Sequence, residues 1–237
     1  MAMKQVRPWF SVAALGLLAA HHLAFVQPVK ADNAEVDVAL ALAIDCSYSV
    51  DSGEHQLQMQ GFASALQSPE VLRAIQSGAH QRIAVVVYQW SDSTSQRVII
   101  PWTIVDSKQS AESMARVLAQ GQRVVNQGGT GISAALLFGY GLFAQAPPAV
   151  RQVIDLATDG RNNMGTPTPQ TRDAVVAQGI TINGLAIINE WPTLDKYLEN
   201  QVAGGDENFV EKAANYDDFG SAMLRKLVKE ITGPGMT

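Results

Sequence analysis

Four short apolar runs constrain the fold more than any other feature of the chain: Val38–Ile44, Arg82–Trp90, Gln152–Thr158 and Ile180–Ile188. Each is too short for a typical helix, the second is rich in β-branched residues, and side chains on both faces are mostly apolar. Each therefore reads as a strand covered on both sides. A fifth run, Arg97–Val105, follows the second across Ser91–Ser95. That gap is too short for a helical crossover, so the two strands form an antiparallel hairpin, and Pro101 suits an edge position. Asn208–Val210 supplies a short sixth strand.

Between the strands, helical periodicity covers Glu54–Gln67, Glu70–Gln76, Ser107–Gln120, Ile132–Ala144, Gln170–Gln178, Thr193–Val202 and Asp217–Ile231. Ser107 or Ser110 is placed to cap the third. Strands alternating with helices predict an α/β fold: a three-layer, doubly wound, mainly parallel six-stranded sheet of Rossmann-like topology, with one antiparallel edge strand. Ligands of such sheets bind beyond the carboxyl ends of the strands, where the strand order reverses.

The first 31 residues read as a secretory leader. Lys4 and Arg7 give a basic start, Trp9–Ala20 an apolar stretch, and Val29-Lys30-Ala31 a small-residue cleavage site. The rival is an uncleaved anchor, but His21-His22 interrupts the apolar stretch before it reaches the roughly 20 residues a span requires. Cleavage after Ala31 leaves a domain over residues 32–233, exported to the periplasm or beyond, with no later stretch able to span a membrane. It removes Lys4, Arg7 and Lys30, leaving 14 basic residues against 22 acidic ones, so the formal charge moves from −5 to −8. Without a basic stripe, nucleic acid and anionic lipid are poor partners. Cys46 is the single cysteine, so no internal disulfide forms, and a free thiol in an oxidising compartment is safest buried.

Asp45-Cys46-Ser47-Tyr48-Ser49 closes the first strand. In an extended segment Asp45, Ser47 and Ser49 share one side, while Cys46 and Tyr48 share the other. Hard oxygen donors gathered at the lip of a sheet suit a hard divalent cation. Gly128-Gly129-Thr130-Gly131 and Thr158-Asp159-Gly160 end or precede other elements with the same kind of donor.

Together, Asp45, Ser47, Ser49, Thr130 and Asp159 resemble the metal-ion-dependent adhesion site (MIDAS) of von Willebrand factor A (vWA) domains. That pattern is Asp-x-Ser-x-Ser after the first strand, a threonine in a later loop and an aspartate after the fourth strand. The resemblance implies that these five residues hold Mg²⁺, or Mn²⁺, with few anionic ligands. An under-neutralised ion then bridges to a carboxylate of a protein partner. Asn208-Phe209-Val210-Glu211, Tyr216-Asp217-Asp218-Phe219 and Met223–Leu227 are similar to a family of exported bacterial vWA-like proteins left without assigned function.

Two other readings compete with adhesion. A metal-dependent hydrolase or phosphatase also places Mg²⁺ beside aspartates, but haloacid-dehalogenase-like enzymes carry Asp-x-Asp where position 47 here is Ser. No GxSxG elbow exists, and neither His55, expected on a helix surface, nor His80, expected in a loop, adjoins a nucleophile. The other is a structural exported domain in which Asp45 and Asp159 only cap helices and the metal site is vestigial. Trp90 is expected in the core. Arg161, Asn162 and Asn163 are placed to touch a ligand. The balance favours a binding domain, not an enzyme.

Overall fold

A computed structural model of the chain describes residues 34–125 and 127–233. The leader expected over residues 1–31 lies outside the described residues. Six strands of the described residues form one sheet: β1 (Val36–Asp45), β2 (Ile83–Trp90), β3 (Gln96–Val105), β4 (Ala149–Thr158), β5 (Ile180–Ile187) and β6 (Val210–Ala213). Their order is β3-β2-β1-β4-β5-β6, and every neighbouring pair is parallel except β2 with β3. The expected hairpin and edge strand are thus present, and Pro101 falls within a register shift between Val85 and Val87, where the ladder is already interrupted.

Among the described residues seven helices cover the sheet: α1 (Ser52–Leu66), α2 (Pro69–Ser77), α3 (Lys108–Ala119), α4 (Ile132–Leu142), α5 (Thr168–Val176), α6 (Leu194–Gln201) and α7 (Phe219–Thr232). One face packs Val38, Leu40, Leu42 and Ile44 of β1 against α1, α2, α3 and α7; the other packs Ala39, Ala41 and Ala43 against α4, α5 and α6. Small alanines on one side of β1 and larger aliphatics on the other explain why this central strand reads as a continuous apolar run. None of the described helices is long and apolar enough to cross a membrane.

The differences from expectation lie at element ends. A 3-10 turn, Phe143–Gln145, replaces the last turn expected of α4, and Ser107 is the cap of α3, with Ser110 completing a capping box. The last strand begins at Val210, where Asn183 in β5 accepts the Phe209 N–H and ends the preceding loop.

Strand order reverses between β1 and β4, because β1 continues to β2 on one side while β4 continues to β5 on the other. The carboxyl ends of these two strands carry Asp45 and Asp159. The fold therefore opens its crevice where the sequence places its carboxylates.

Candidate functional site

Beyond Asp45 the backbone leaves the extended state. Val50 N–H bonds to Ser47 C=O at 3.1 Å, closing a turn, and Asp51 then caps α1 through a reciprocal box with Glu54. The expectation of strict alternation through Ser49 is therefore corrected: the segment turns because α1 must start there. The hydroxyls still converge. Ser47 Oγ lies 3.1 Å from Ser49 Oγ, and Ser49 donates to Asp159 Oδ1 at 2.7 Å. Asp45 Oδ1 accepts from Ser47 N–H at 2.7 Å.

Thr130 reaches the same place from the loop before α4. Its N–H donates to Asn163 Oδ1 at 2.8 Å, and Asn163 N–H returns a bond to Thr130 C=O at 2.9 Å. A methyl group built on Gly160 would lie 3.2 Å from Thr130 Oγ1, so the glycine lets the threonine approach the strand end. Tyr48 N–H donates to Gly128 C=O, and Arg123 clamps the carbonyls of Val50 and Asp51 at 2.7 and 3.0 Å. Three loops far apart in sequence are thus tied backbone to backbone.

Two residues that the sequence reading missed complete the shell. Thr158 donates to Asp45 Oδ2 at 2.5 Å, and Tyr216 donates to Asp159 Oδ2 at 2.9 Å. Thr158 adjoins Asp159, and its hydroxyl at a strand end was a usable signal. Tyr216 lies in a stretch that carries the family resemblance, but nothing there assigned it to the site, since it precedes α7 and meets Asp159 only through the fold. Asp45, Ser47, Thr130 and Asp159 are all buried. Burial, then the Asp159 carboxylate, pushes the Asp45 carboxyl up to about 7, against the opposing hydrogen bonds from Thr158 and Ser47. Neither aspartate has an ion-pair partner among the described residues.

Ser49 and Thr130 open onto a cavity of about 330 Å³ that is also lined by Tyr48, Arg161, Asn162 and Trp191. Cys46 points away into the core, where burial, then Asp45, pushes its thiol up to about 12, so it is not a nucleophile at neutral pH. His55 is buried rather than on a helix surface, which corrects that expectation: α1 carries polar residues around its whole circumference, and one of them turns inward to meet Gln89. His80 lies in a loop, as expected, beside Glu35. Trp90 is in the core.

Residues 35–235 match the family described as "Protein of unknown function (DUF1194)". No curated protein sequence matches the chain. Among solved structures, proximal thread matrix protein 1 from the mussel byssus, with a zinc-occupied MIDAS motif, aligns at a TM-score of 0.63 and 17% identity, over 84% of this chain and 48% of its own. A von Willebrand factor type A structure from Catenulispora acidiphila aligns at 0.57 and 20%, over 84% and 43%. The pilus adhesin SpaC from Lactobacillus rhamnosus GG aligns at 0.58 and 13%, over 84% and 31%. The chain spans less than half the length of each of these proteins. At such identities the likeness establishes the fold, which is vWA-like.

Proposed function

The chain belongs to the DUF1194 family, and we propose that it is an exported binding domain that holds a protein partner through a divalent cation carried by Asp45, Ser47, Ser49, Thr130 and Asp159. The observation that carries this reading is a pair of buried carboxylates, Asp45 and Asp159, joined through Ser49 and Ser47 with no cationic side chain between them. Two like charges in a low-dielectric site are costly, and a cation offsets that cost. The donor set is oxygen only and contains just two carboxylates, in keeping with the absence of any cluster of three or more His, Cys, Asp or Glu among the described residues. Such a set fits Mg²⁺ or Mn²⁺ and leaves the ion with positive charge to spare.

When bound, the ion supplies a Lewis-acidic point for a carboxylate of the partner. Thr158 and the Ser47 N–H hold the Asp45 carboxylate in orientation, and Tyr216 does the same for Asp159. Asn163 keeps Thr130 at the strand ends. The zinc-occupied motif of the mussel protein and the adhesin role of SpaC favour this class of function over hydrolysis.

Thermal unfolding with Mg²⁺, Mn²⁺, Zn²⁺ or EDTA tests the proposal. A hundredfold excess over Kd adds about 2.7 kcal/mol. The increment is larger at pH 8 than at pH 6, because the Asp45 proton must leave: its folded value of about 7 exceeds the reference 3.8, so its ionisation removes stability as pH rises between them until a cation restores it. Asp45→Ala abolishes the increment while the metal-free fold persists, and Thr130→Ala weakens it less. Melting curves that are the same in all four conditions would reject the metal site.

A further inference from the structure

Arg161 stands at the rim of the cavity that Ser49 and Thr130 share. Its guanidinium lies 5.1 Å from the Trp191 ring centroid and 5.4 Å from that of Tyr197, and its Nη2 donates to Thr193 Oγ1 at 2.8 Å. Two aromatic faces and a hydroxyl thus hold a side chain that would otherwise lose rotamer freedom on binding. That one bond uses a single N–H of the five in the guanidinium fork, and none of the ion pairs among the described residues includes Arg161. Arg161 is exposed, so the remaining donors are open to a partner.

The surrounding charge sharpens what that partner can be. Burial pushes the Glu54 carboxyl up, a hydrogen bond from the Asp51 backbone opposes this, and the fields of Asp51, Asp159 and Glu190 add to the rise, so several carboxylates gather at this end of the sheet. A partner with one carboxylate meets repulsion from these groups and can engage the ion or Arg161 but not both. A partner with two meets a second positive point at Arg161. Beside it, Tyr48 is 73% exposed and Trp191 46% exposed, both lining the same cavity, so apolar contact is available between the two charged points.

We propose that Arg161 is a second anchor of the binding face, so that the domain selects a partner segment with two acidic groups, one for the ion and one for the guanidinium. The inference rests on the metal reading above, and adds to it a selectivity that the five candidate metal ligands do not supply. Arg161 acts here through planar, forked donation to a carboxylate, which a lysine at the same position would reproduce poorly.

Simple acids serve as probes. With saturating Mg²⁺, ¹⁵N-labelled protein is titrated with propionate and with succinate, glutarate and adipate, following the Thr130 amide and the Trp191 indole resonances. At least one diacid is expected to bind about fivefold more tightly than propionate, beyond the twofold statistical gain of two carboxyls. Arg161→Gln should erase this preference and leave both propionate binding and the Mg²⁺ thermal increment as in the parent. Diacids that gain no more than the statistical factor over propionate, in a protein that still responds to Mg²⁺, would overturn the second anchor alone. Weakening of propionate and diacid by the same factor in Arg161→Gln would overturn it too, since the guanidinium would then share the metal-bound carboxylate. A parent that shows no response to any divalent ion would remove both proposals.

Discussion

Gln89 Oε1 accepts from the backbone N–H groups of Val124 and Val125 at 2.7 and 3.3 Å, which turns its amide nitrogen towards Gln122 C=O and His55 Nε2. A donor facing Nε2 requires that nitrogen to accept, so His55 is neutral, with its proton on Nδ1. Burial, followed by the Arg123 charge, brings its pKa down from 6.5 to about 4. The unfolded chain therefore takes up the proton first as pH falls, and the stability that His55 lends is complete above pH 6.5 and drains away towards pH 4. Asp45 acts in the opposite direction over much of the same window, so the parent must be compared with a variant rather than read alone. In urea unfolding, His55→Gln is expected to be less stable than the parent at pH 7 by about 1–2 kcal/mol, with the gap closing by pH 4.5. A gap independent of pH would show that His55 does not titrate there.

α1 and α7 meet where neither has a side chain. A Cβ on Gly61 would lie 2.5 Å from Phe219 Cδ1 and 3.1 Å from Gly220 Cα, whereas one on Gly220 would meet only Gly61 Cα, at 3.5 Å. Phe62 and Phe219 pack edge to face beside this crossing, with centroids 5.3 Å apart. Gly61→Ala therefore forces the helices apart and should cost about 1–3 kcal/mol, while Gly220→Ala should be neutral or slightly stabilising through helix propensity. Equal effects in thermal unfolding would contradict this asymmetry. A second device fixes α7 on the sheet. Fully buried Lys226 pairs with Asp155 of β4 at 2.7 Å and with Glu230, and Asn183 of β5 donates to Glu230 at 3.0 Å. Burial, then Asp155, pushes the Glu230 carboxyl up, against the opposing charge of Lys226. Lys226→Met strands two buried acids and should cost about 3–5 kcal/mol, whereas replacing Asp155, Lys226 and Glu230 together by Leu, Met and Leu should recover most of that. A triple variant as unstable as the single one would mean that packing, not charge, sets the cost.

At the scale of the whole molecule, the crevice between β1 and β4 gathers the proposed metal ligands, and the hydroxyls that meet a carboxylate there, Ser49 on Asp159 and Thr158 on Asp45, are taken up by that set and its support. Cys46 is turned into the core, His55 is engaged with Gln89, and Tyr216 is buried against Asp159 with its hydroxyl pushed further up by burial and by that carboxylate. Hydrolysis of generic phosphate and ester substrates is accordingly expected to stay at background with Mg²⁺ or Mn²⁺. Turnover that disappears in Asp45→Asn would restore the phosphatase reading.

Local patterning determined much of this protein. Apolar runs of strand length, the short gap before Gln96 and the proline in β3 specify a parallel sheet with one antiparallel edge, because hydrophobic period, crossover length and a missing N–H are all properties of contiguous residues. The meeting of Asp45, Ser47, Ser49, Thr130 and Asp159, the proposed metal ligands, at one lip of the sheet was legible for a related reason, since each carries its oxygen at the end of an element. Their second layer was not. Thr158 meets Asp45 across 113 residues and Tyr216 meets Asp159 across 57. The inward turn of His55 and the burial of Lys226 also depend on partners from other elements. A buried polar group is stable only beside its complement, and which complement it finds is decided when the helices close over the sheet.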